Sequence, residues 1–187
     1  MGKIVLKALS ALGHEAALVE TVGPWTLTER MDVALASLAL RRGREAEVRE
    51  KAKAAGVPLP GPGRSEAGAF GAFWMTPEMW MVEAPFASHE DIRAELLGIF
   101  GDSASITEQT DAWVQFDVSG DGLGKVLERL TNFDFEPAED GAATRTVIDH
   151  LGCYLVKRCA TLVTLYGPRS SAQSLRHAWA VAAASIA

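Results

Sequence analysis

The segment from Ser105 to Leu130 constrains the fold of this chain more than any other stretch. Apolar side chains alternate with other residues over 112–118, and this period of two predicts a strand with one buried face. The opposite face of that strand carries Trp113, Gln115 and Asp117. After a glycine-rich turn, apolar residues recur at helical spacing at Leu123, Val126, Leu127 and Leu130. With Asp121 as the expected N-cap, the segment predicts a strand, a tight turn and an amphipathic helix.

The same segment has two alternative interpretations as a binding site. The first is calcium, because nearly the full ligand spacing of an EF-hand loop is present: Asp117, Ser119, Asp121, Gly122 and Glu128. An EF-hand loop follows a helix, whereas the residues before Asp117 alternate as a strand. The second is a phosphate-binding turn, but the three glycines at 120–124 do not have the GxGxxG spacing. The favoured interpretation is that Asp117 is solvated, Asp121 caps the helix and Glu128 lies on its polar face.

The remaining patterns predict further strands and helices on both sides of this segment. Strands are expected at 21–29 and 35–40, in a hairpin at 70–86 around Pro77, and two or three times within 143–167. Helices are expected at 43–56, from a capping-box-like start at Ser88 to Gly101, and from Pro168 at position N1 to Ile186. This order predicts an α+β fold with helices packed on a mixed or antiparallel sheet.

We expect the elements to form two similar strand–helix halves packed as one compact unit. The predicted organisation is an N-terminal arm at residues 1–24, a first α+β half at 25–108 and a second at 109–187. A chain of 187 residues is long enough for one good core or for two such halves packed together.

Charge and cysteine content exclude several classes of function. The net charge of −6 and the isolated basic pairs Arg41-Arg42 and Lys157-Arg158 argue against a general nucleic-acid binder. Two cysteines imply no disulfide framework and favour a reducing compartment. The N-terminus has no convincing export signal, and no apolar run is long enough to span a bilayer. We therefore expect a cytoplasmic protein.

Few residues suggest catalysis or metal binding. His150, Cys153 and Cys159 are a candidate zinc set, but the two cysteines would lie about 20 Å apart on a continuous strand. The simpler expectation is one satisfied or exposed histidine and two buried thiols. Cys153 and His150 lack an orienting acid for nucleophilic catalysis, and Ser170-Ser171 are expected to cap the last helix. The residues alone predict no catalytic, cofactor-binding or metal site.

The chain resembles a known family, the γ subunit of heterotetrameric sarcosine oxidase. The stretches that carry the resemblance are ALASLALRRG (34–43), FWMTPEMWMVEAP (73–85), SITEQTDAWVQFDVSG (105–120), GAATRTVIDHLGCYLVKR (141–158) and YGPRSSAQSLRHAW (166–179). The similarity extends over nearly the whole chain from about Trp25. It implies a fold related to the folate-binding aminomethyltransferases (T-proteins), in a chain about half their length.

The resemblance also implies a function. Complexes of this family oxidatively demethylate sarcosine to glycine, produce hydrogen peroxide, and release formaldehyde or form 5,10-methylenetetrahydrofolate. FAD, FMN and NAD are bound by the two larger subunits, the folate site is on the largest, and zinc is on the smallest. The implied role of this chain is therefore that of a non-catalytic γ subunit with α, β and δ partners and no cofactor of its own. The alternatives are a stand-alone folate-dependent aminomethyl transfer protein and a calcium-binding module.

The aromatic and methionine content of the 70–86 hairpin suggests a partner surface. We expect the exposed part of this hairpin and the last helix to pack on the largest subunit, because their apolar content exceeds what a small domain hides. On this hypothesis Trp80 and Trp179 contribute to assembly.

Overall fold

The computed structural model describes residues 7–187. Its strands are β1 (Val19–Val22), β2 (Trp25–Arg30), β3 (Val33–Leu40), β4 (Ser65–Glu66), β5 (Gly71–Thr76), β6 (Met79–Pro85), β7 (Ala104–Glu108), β8 (Trp113–Ser119), β9 (Ala143–Ile148), β10 (Leu151–Cys159) and β11 (Leu162–Pro168). Its α-helices are α1 (Glu45–Ala55), α2 (Ile92–Phe100), α3 (Leu123–Leu130) and α4 (Ala172–Ala184). Short 3-10 turns precede β7 and α4. None of the described helices has the length and apolar character needed to cross a bilayer.

The strands form two antiparallel sheets. The six-stranded sheet has the order β1-β2-β8-β11-β10-β9, and the five-stranded sheet has the order β4-β5-β6-β3-β7. Helices α3 and α4 pack on one face of the six-stranded sheet, and α1 and α2 pack on one face of the five-stranded sheet. The two remaining faces pack against each other through a third cluster of buried side chains. The result is a helix–sheet–sheet–helix arrangement, which confirms the predicted α+β fold with helices on antiparallel sheets.

Strand β8 lies in the middle of this arrangement and has the predicted alternation. Val114, Phe116 and Val118 are buried in the core that α3 and α4 cover. The opposite face is directed toward the five-stranded sheet rather than toward solvent, and the side chain of Asp117 is only 16% exposed. The expectation that Asp117 is solvated was therefore wrong, because a second sheet covers that face.

Near the N-terminus, the order of the strands along the chain differs from their order in the six-stranded sheet. Residues 19–30 form the hairpin of β1 and β2 rather than one strand, and β2 pairs with β8 from Thr26–Ser119 to Arg30–Gln115. The six-stranded sheet thus contains two strands from before residue 109 and four from after it. The division into halves at 25–108 and 109–187 remains a prediction.

Three helix starts differ from the expected ones. Helix α3 follows Gly122 in the left-handed conformation (φ 66°), and the Asp121 carbonyl instead accepts a hydrogen bond from Trp25 Nε1 at 2.9 Å. Helix α2 is capped by Asp91, whose carboxylate accepts the Ala94 N–H at 3.0 Å, so Ser88 lies outside the helix. Pro168 ends β11 instead of opening α4, because it still pairs with β8.

The segment before β1 packs on the body of the protein through one buried carboxylate. Glu29 is 2% exposed, and its two oxygens accept hydrogen bonds from the Leu12 N–H at 3.3 Å and the Leu18 N–H at 3.2 Å. The side chain of Arg169 also donates to the Leu9 carbonyl at 2.9 Å. The described part of the predicted arm is therefore tied to β2 and to the turn before α4.

Candidate functional site

The interface between the two sheets is apolar in one part and charged in another. Its apolar part consists of Leu35, Phe73, Met75, Met81, Ala143, Tyr154, Val156 and Tyr166. Beyond these residues the facing strands carry Glu83 on β6 and Arg158, Thr164 and Asp117 on β10, β11 and β8. Side chains of alternate strand residues point to the same face, so each of these groups lies on the face opposite the helices. This charged part of the interface is the candidate functional site.

Glu83, Arg158 and Tyr166 form the most buried part of the site. The Arg158 guanidinium contacts the Glu83 carboxylate at 2.9 Å through Nη1 and 3.2 Å through Nη2, and these side chains are 23% and 13% exposed. The Tyr166 hydroxyl donates to Glu83 Oε2 at 2.5 Å and accepts from Arg158 Nη2 at 2.6 Å. Oε2 of the carboxylate thus accepts two hydrogen bonds, and Oε1 is in ion-pair contact with Arg158 Nη1.

The environment shifts the pKa values of Tyr166 and Arg158. Burial and the nearby Glu83 carboxylate raise the pKa of Tyr166 well above its ordinary value, so the phenol remains a hydrogen-bond donor. Burial lowers the pKa of Arg158, but its interactions with Tyr166 and Glu83 raise that pKa by more, and the net shift is upward. The guanidinium therefore stays charged at every pH at which the protein is folded.

A second set of hydrogen bonds continues from Arg158 toward the surface. Arg158 Nε donates to Thr164 Oγ1 at 3.0 Å, and the same hydroxyl donates to Asp117 Oδ1 at 2.7 Å. Asp117 Oδ2 accepts from Arg30 Nη1 at 2.7 Å. Arg30 also holds Asp32 through two hydrogen bonds of 2.7 and 3.0 Å, and the hydrogen bond between them lowers the pKa of Asp32. We call the connected side chains the inter-sheet polar chain: Glu83, Tyr166, Arg158, Thr164, Asp117, Arg30 and Asp32.

A cavity of about 360 Å³ opens onto the inter-sheet polar chain. Its charged wall is formed by the polar chain, and its other walls are small or apolar residues such as Gly68, Ala84 and Leu162. Gly71 lies opposite Glu83 in the β5–β6 ladder, and a Cβ at Gly71 would lie 2.9 Å from Glu83 Cγ. The backbone of β5 therefore approaches the Glu83 side chain as closely as only glycine permits.

The inter-sheet polar chain is better suited to stabilising the sheet packing than to general acid–base catalysis. Glu83 Oε2 and both oxygens of Asp117 accept hydrogen bonds, and Glu83 Oε1 forms an ion pair with Arg158. Each bridging hydroxyl both donates and accepts. A general base needs an oxygen that is within reach of substrate and free to take its proton. The arrangement thus has the satisfied hydrogen bonds of a structural network.

Comparison with known proteins gives a fold but no family. No family model matches the chain, and no curated protein matches its sequence. Among solved structures, it is similar to a chain of heterotetrameric sarcosine oxidase from Corynebacterium sp. U-96, solved in complex with pyrrole 2-carboxylate. The TM-score is 0.76 at 18% identity, over 86% of this chain and 84% of that one. The two chains share a fold.

A second similarity is to part of a larger protein. The chain matches the glycine cleavage system aminomethyltransferase T from Bartonella henselae with a TM-score of 0.63 at 14% identity. The match covers 85% of this chain and 46% of that one, so this chain spans about half the length of the aminomethyltransferase. Both similarities confirm the expected relation to the sarcosine oxidase and aminomethyltransferase folds.

The residues of the candidate calcium loop do not surround a common point. Asp117 points into the sheet interface and is bound to Arg30 and Thr164, while the Asp121 carbonyl accepts from Trp25. Glu128 lies on the exposed side of α3, as expected. Among residues 7–187, no group of three or more histidine, cysteine, aspartate or glutamate side chains is placed to hold a metal ion.

The proposed zinc residues have different surroundings. His150 is exposed in the turn between β9 and β10, and Cys153 is buried under α4. Cys159 lies at the end of β10 and is partly exposed, so the expectation of two buried thiols was wrong for Cys159. Burial raises the pKa of Cys153 to about 11, whereas hydrogen bonds from the Thr161 backbone and side chain lower the pKa of Cys159.

The two tryptophans expected at a partner surface are both internal. Trp80 is 3% exposed and donates its indole N–H to the Pro60 carbonyl at 2.7 Å, and Trp179 is fully buried. The 70–86 hairpin forms the inner strands β5 and β6, whose two faces are covered by helices and by the second sheet. The docking hypothesis based on Trp80 and Trp179 was therefore wrong.

No sequence pattern predicted the inter-sheet polar chain. Glu83 and Arg158 lie 75 positions apart, and both residue types are usually exposed. The one available hint was the alternation in β8, which placed Asp117 opposite the apolar face.

Removal of one charge from the polar chain should destabilise the fold. We expect Arg158→Met to lower the free energy of unfolding by about 3 kcal/mol, because it leaves the Glu83 carboxylate buried without its cation. In the double variant with Glu83→Gln, part of that loss should be recovered, because the uncompensated charge is removed. Urea denaturation of both variants measures this, and Arg49→Met on the exposed face of α1 is the matched control. A change of less than about 0.5 kcal/mol for Arg158→Met would contradict it.

The two thiols should react at very different rates. At neutral pH we expect Cys159 to react with a disulfide reagent much faster than Cys153, because the thiolate is the nucleophile and Cys159 is accessible with a lowered pKa. The rate at Cys159 should rise with pH and approach its plateau at a lower pH than an ordinary thiol of pKa about 8.5. Spectrophotometric titration of Cys159→Ser and Cys153→Ala separates the thiols. A fast phase that persists in Cys159→Ser would refute the assignment.

Proposed function

We propose that this chain is a non-catalytic γ subunit of a heterotetrameric sarcosine oxidase. The observation that carries the proposal is the structural match to a chain of such an oxidase over 84% of that chain, compared with 46% of the aminomethyltransferase. The match thus extends over most of a separate subunit rather than over one part of a larger enzyme. The stretches that resemble the γ family give independent support, since they are distributed over both sheets.

The inter-sheet polar chain supports a structural role within such a complex. Its carboxylates and hydroxyls are engaged with Arg30 and Arg158 inside this chain, which favours a role in stabilising the fold. In the proposed complex, oxidation of sarcosine to glycine and transfer of the one-carbon unit to tetrahydrofolate or its release as formaldehyde take place on the other subunits. This chain contributes a rigid two-sheet body against which those subunits assemble.

The cavity beside Glu83 has a volume of about 360 Å³, at the low end of the range for small-molecule sites. On the proposal, FAD, FMN, NAD, tetrahydrofolate and zinc are bound by the α, β and δ subunits.

A stand-alone folate-dependent aminomethyl transfer protein is the second candidate. It is favoured by the similarity to aminomethyltransferase T and by the two carboxylates that line the cavity, Glu83 and Asp117. It requires that one of them leave its arginine partner when substrate binds. This rearrangement would leave a buried or half-buried guanidinium unpaired, which is unfavourable.

Purification from the native host tests the proposal. We expect the tagged chain to co-purify in equal amounts with larger flavin-containing chains, and the complex to produce hydrogen peroxide from sarcosine. The isolated chain should produce none. An untagged strain carried through the same purification is the control.

Two results would contradict the proposed function. One is a monomeric preparation that turns over a substrate or transfers a one-carbon unit. The other is micromolar binding of tetrahydrofolate or Ca²⁺ to the isolated chain, measured by isothermal titration calorimetry, since either ligand would indicate a binding site of its own.

A further inference from the structure

Strand β9 forms an edge of the six-stranded sheet with unpaired backbone groups. Ile148 and Leu151 close a two-residue turn, in which Asp149 and His150 both have positive φ (47° and 67°). The closing pair of such a hairpin is hydrogen-bonded, and alternate residues of an antiparallel strand then point their backbone groups away from the partner. The N–H groups of Arg145 and Val147 therefore point outward from β10.

The start of this edge is already covered, and the rest is open. The outward N–H of Ala143 donates to the Gly63 carbonyl at 2.8 Å, so the loop before β4 pairs with the first residue of β9. Beyond that point, the outward N–H groups of Arg145 and Val147 have no acceptor among residues 7–187. They are two residues apart, about 7 Å, which is the repeat at which a further antiparallel strand forms its hydrogen bonds.

The edge lacks proline and bulges, two of the features that normally prevent pairing. Strand β9 contains no proline and no bulge, and its register with β10 is regular from Ala143 to Ile148. The Val147 side chain is 61% exposed. The other outer strands are shorter, with four residues in β1, two in β4 and five in β7, against six in β9. Strand β9 is therefore the most suitable edge for an added strand in the described part of the chain.

A groove runs beside this edge. It has a volume of about 680 Å³ and is bounded by β9 on one side and by the end of α3 with the following loop, residues 128–132, on the other. The hydroxyl of Thr131 is hydrogen-bonded to that of Thr146, which attaches the loop to the sheet at the base of the groove. A chain lying along β9 would thus have contacts on its far side as well.

The charged residues at the groove favour a ligand of opposite charge. Arg129 and Arg145 both lie beside the edge, Arg129 on the side of α3 and Arg145 on the opposite face of the sheet. Both are exposed, and neither forms an ion pair with any residue in 7–187. Glu128 is the one acidic lining residue, so the groove is positive in a chain with a net charge of −6. A segment that places carboxylates near these two arginines and a small apolar side chain near Val147 is complementary to it.

We propose that the β9 edge binds an extended acidic segment of another polypeptide, which adds a strand to the six-stranded sheet. Backbone hydrogen bonds to Arg145 and Val147 hold the segment along the edge. Arg129 and Arg145 select acidic sequences over basic ones. The proposal goes beyond the proposed function, because it depends only on the edge and the groove and holds for any partner that offers such a segment.

The test uses a ten-residue peptide of glutamate, valine and threonine and the full isotopically labelled chain. We expect the peptide to shift the amide resonances of residues 144–148. A peptide with lysine in place of each glutamate should bind at least tenfold more weakly, and so should the acidic peptide to Arg145→Glu. Arg49→Glu on α1 is the matched control and should bind as the wild type does.

Two further measurements test the backbone pairing. Val147→Pro removes the outward N–H without breaking the ladder to β10, and it should abolish binding. Should that variant unfold, a peptide with alternate N-methylated residues tests the same hydrogen bonds without any change in the protein, and it too should not bind.

Several outcomes would overturn the proposal. These are no amide shift at 144–148 with the acidic peptide at millimolar concentration, equal binding of the lysine peptide, or full binding of the N-methylated peptide. A dimer in sedimentation that Arg145→Glu dissociates would also overturn it, because the edge would then be occupied by a second copy of the chain.

Discussion

The packing of the two sheets against each other is the constraint on which the rest of the structure depends. One part of the interface is an ordinary apolar core around Phe73 and Tyr166, and the other consists of charged side chains. Taking Glu83 and Arg158 out of water is unfavourable by several kcal/mol per ion. The fold offsets this through paired, hydrogen-bonded geometry. Arg158 and Tyr166 of the six-stranded sheet bind Glu83 of the five-stranded sheet, and Thr164 links Arg158 to Asp117 within the six-stranded sheet.

This interface also explains where the apolar content of the chain is placed. A single sheet with helices on one face would leave the second face of β5 and β6 exposed, together with Phe73 and Met81. In the four-layer arrangement, each sheet has one face under helices and the other under the second sheet. The aromatic residues of the hairpin are therefore needed for the fold itself.

The local sequence pattern was sufficient to predict most strands and helices, but not the elements against which they pack. The period of two in 112–118 predicted both faces of β8, and the turn at Pro77 and the end of α2 near Gly101 were predicted closely. The same pattern did not distinguish a face covered by a second sheet from one exposed to water, because Gln115 and Asp117 are typical of solvent-facing positions. Pairing of Glu83 with Arg158 across 75 positions is a property of the tertiary fold, and no short-range signal encodes it. Cys159 was misassigned for a related reason, since the end of β10 at a bulge determines its exposure.

The candidate site and the fold comparison are separate observations. The side chains of the inter-sheet polar chain form their hydrogen bonds with one another, as expected of a network that stabilises the fold. The similarity to a chain of heterotetrameric sarcosine oxidase shows a shared fold over 86% of this chain. A catalytic role would instead require a carboxylate or hydroxyl of the cavity to be free for a substrate.

The central claim is that the inter-sheet polar chain maintains the fold and takes no part in chemistry. The most direct test is sarcosine-dependent peroxide production by the purified complex carrying the double variant Glu83→Gln and Arg158→Met, after assembly has been verified by native mass spectrometry. The account predicts turnover within twofold of the wild-type complex. A fully assembled complex whose turnover falls a hundredfold or more, a difference of about 2.7 kcal/mol in activation free energy, would contradict it.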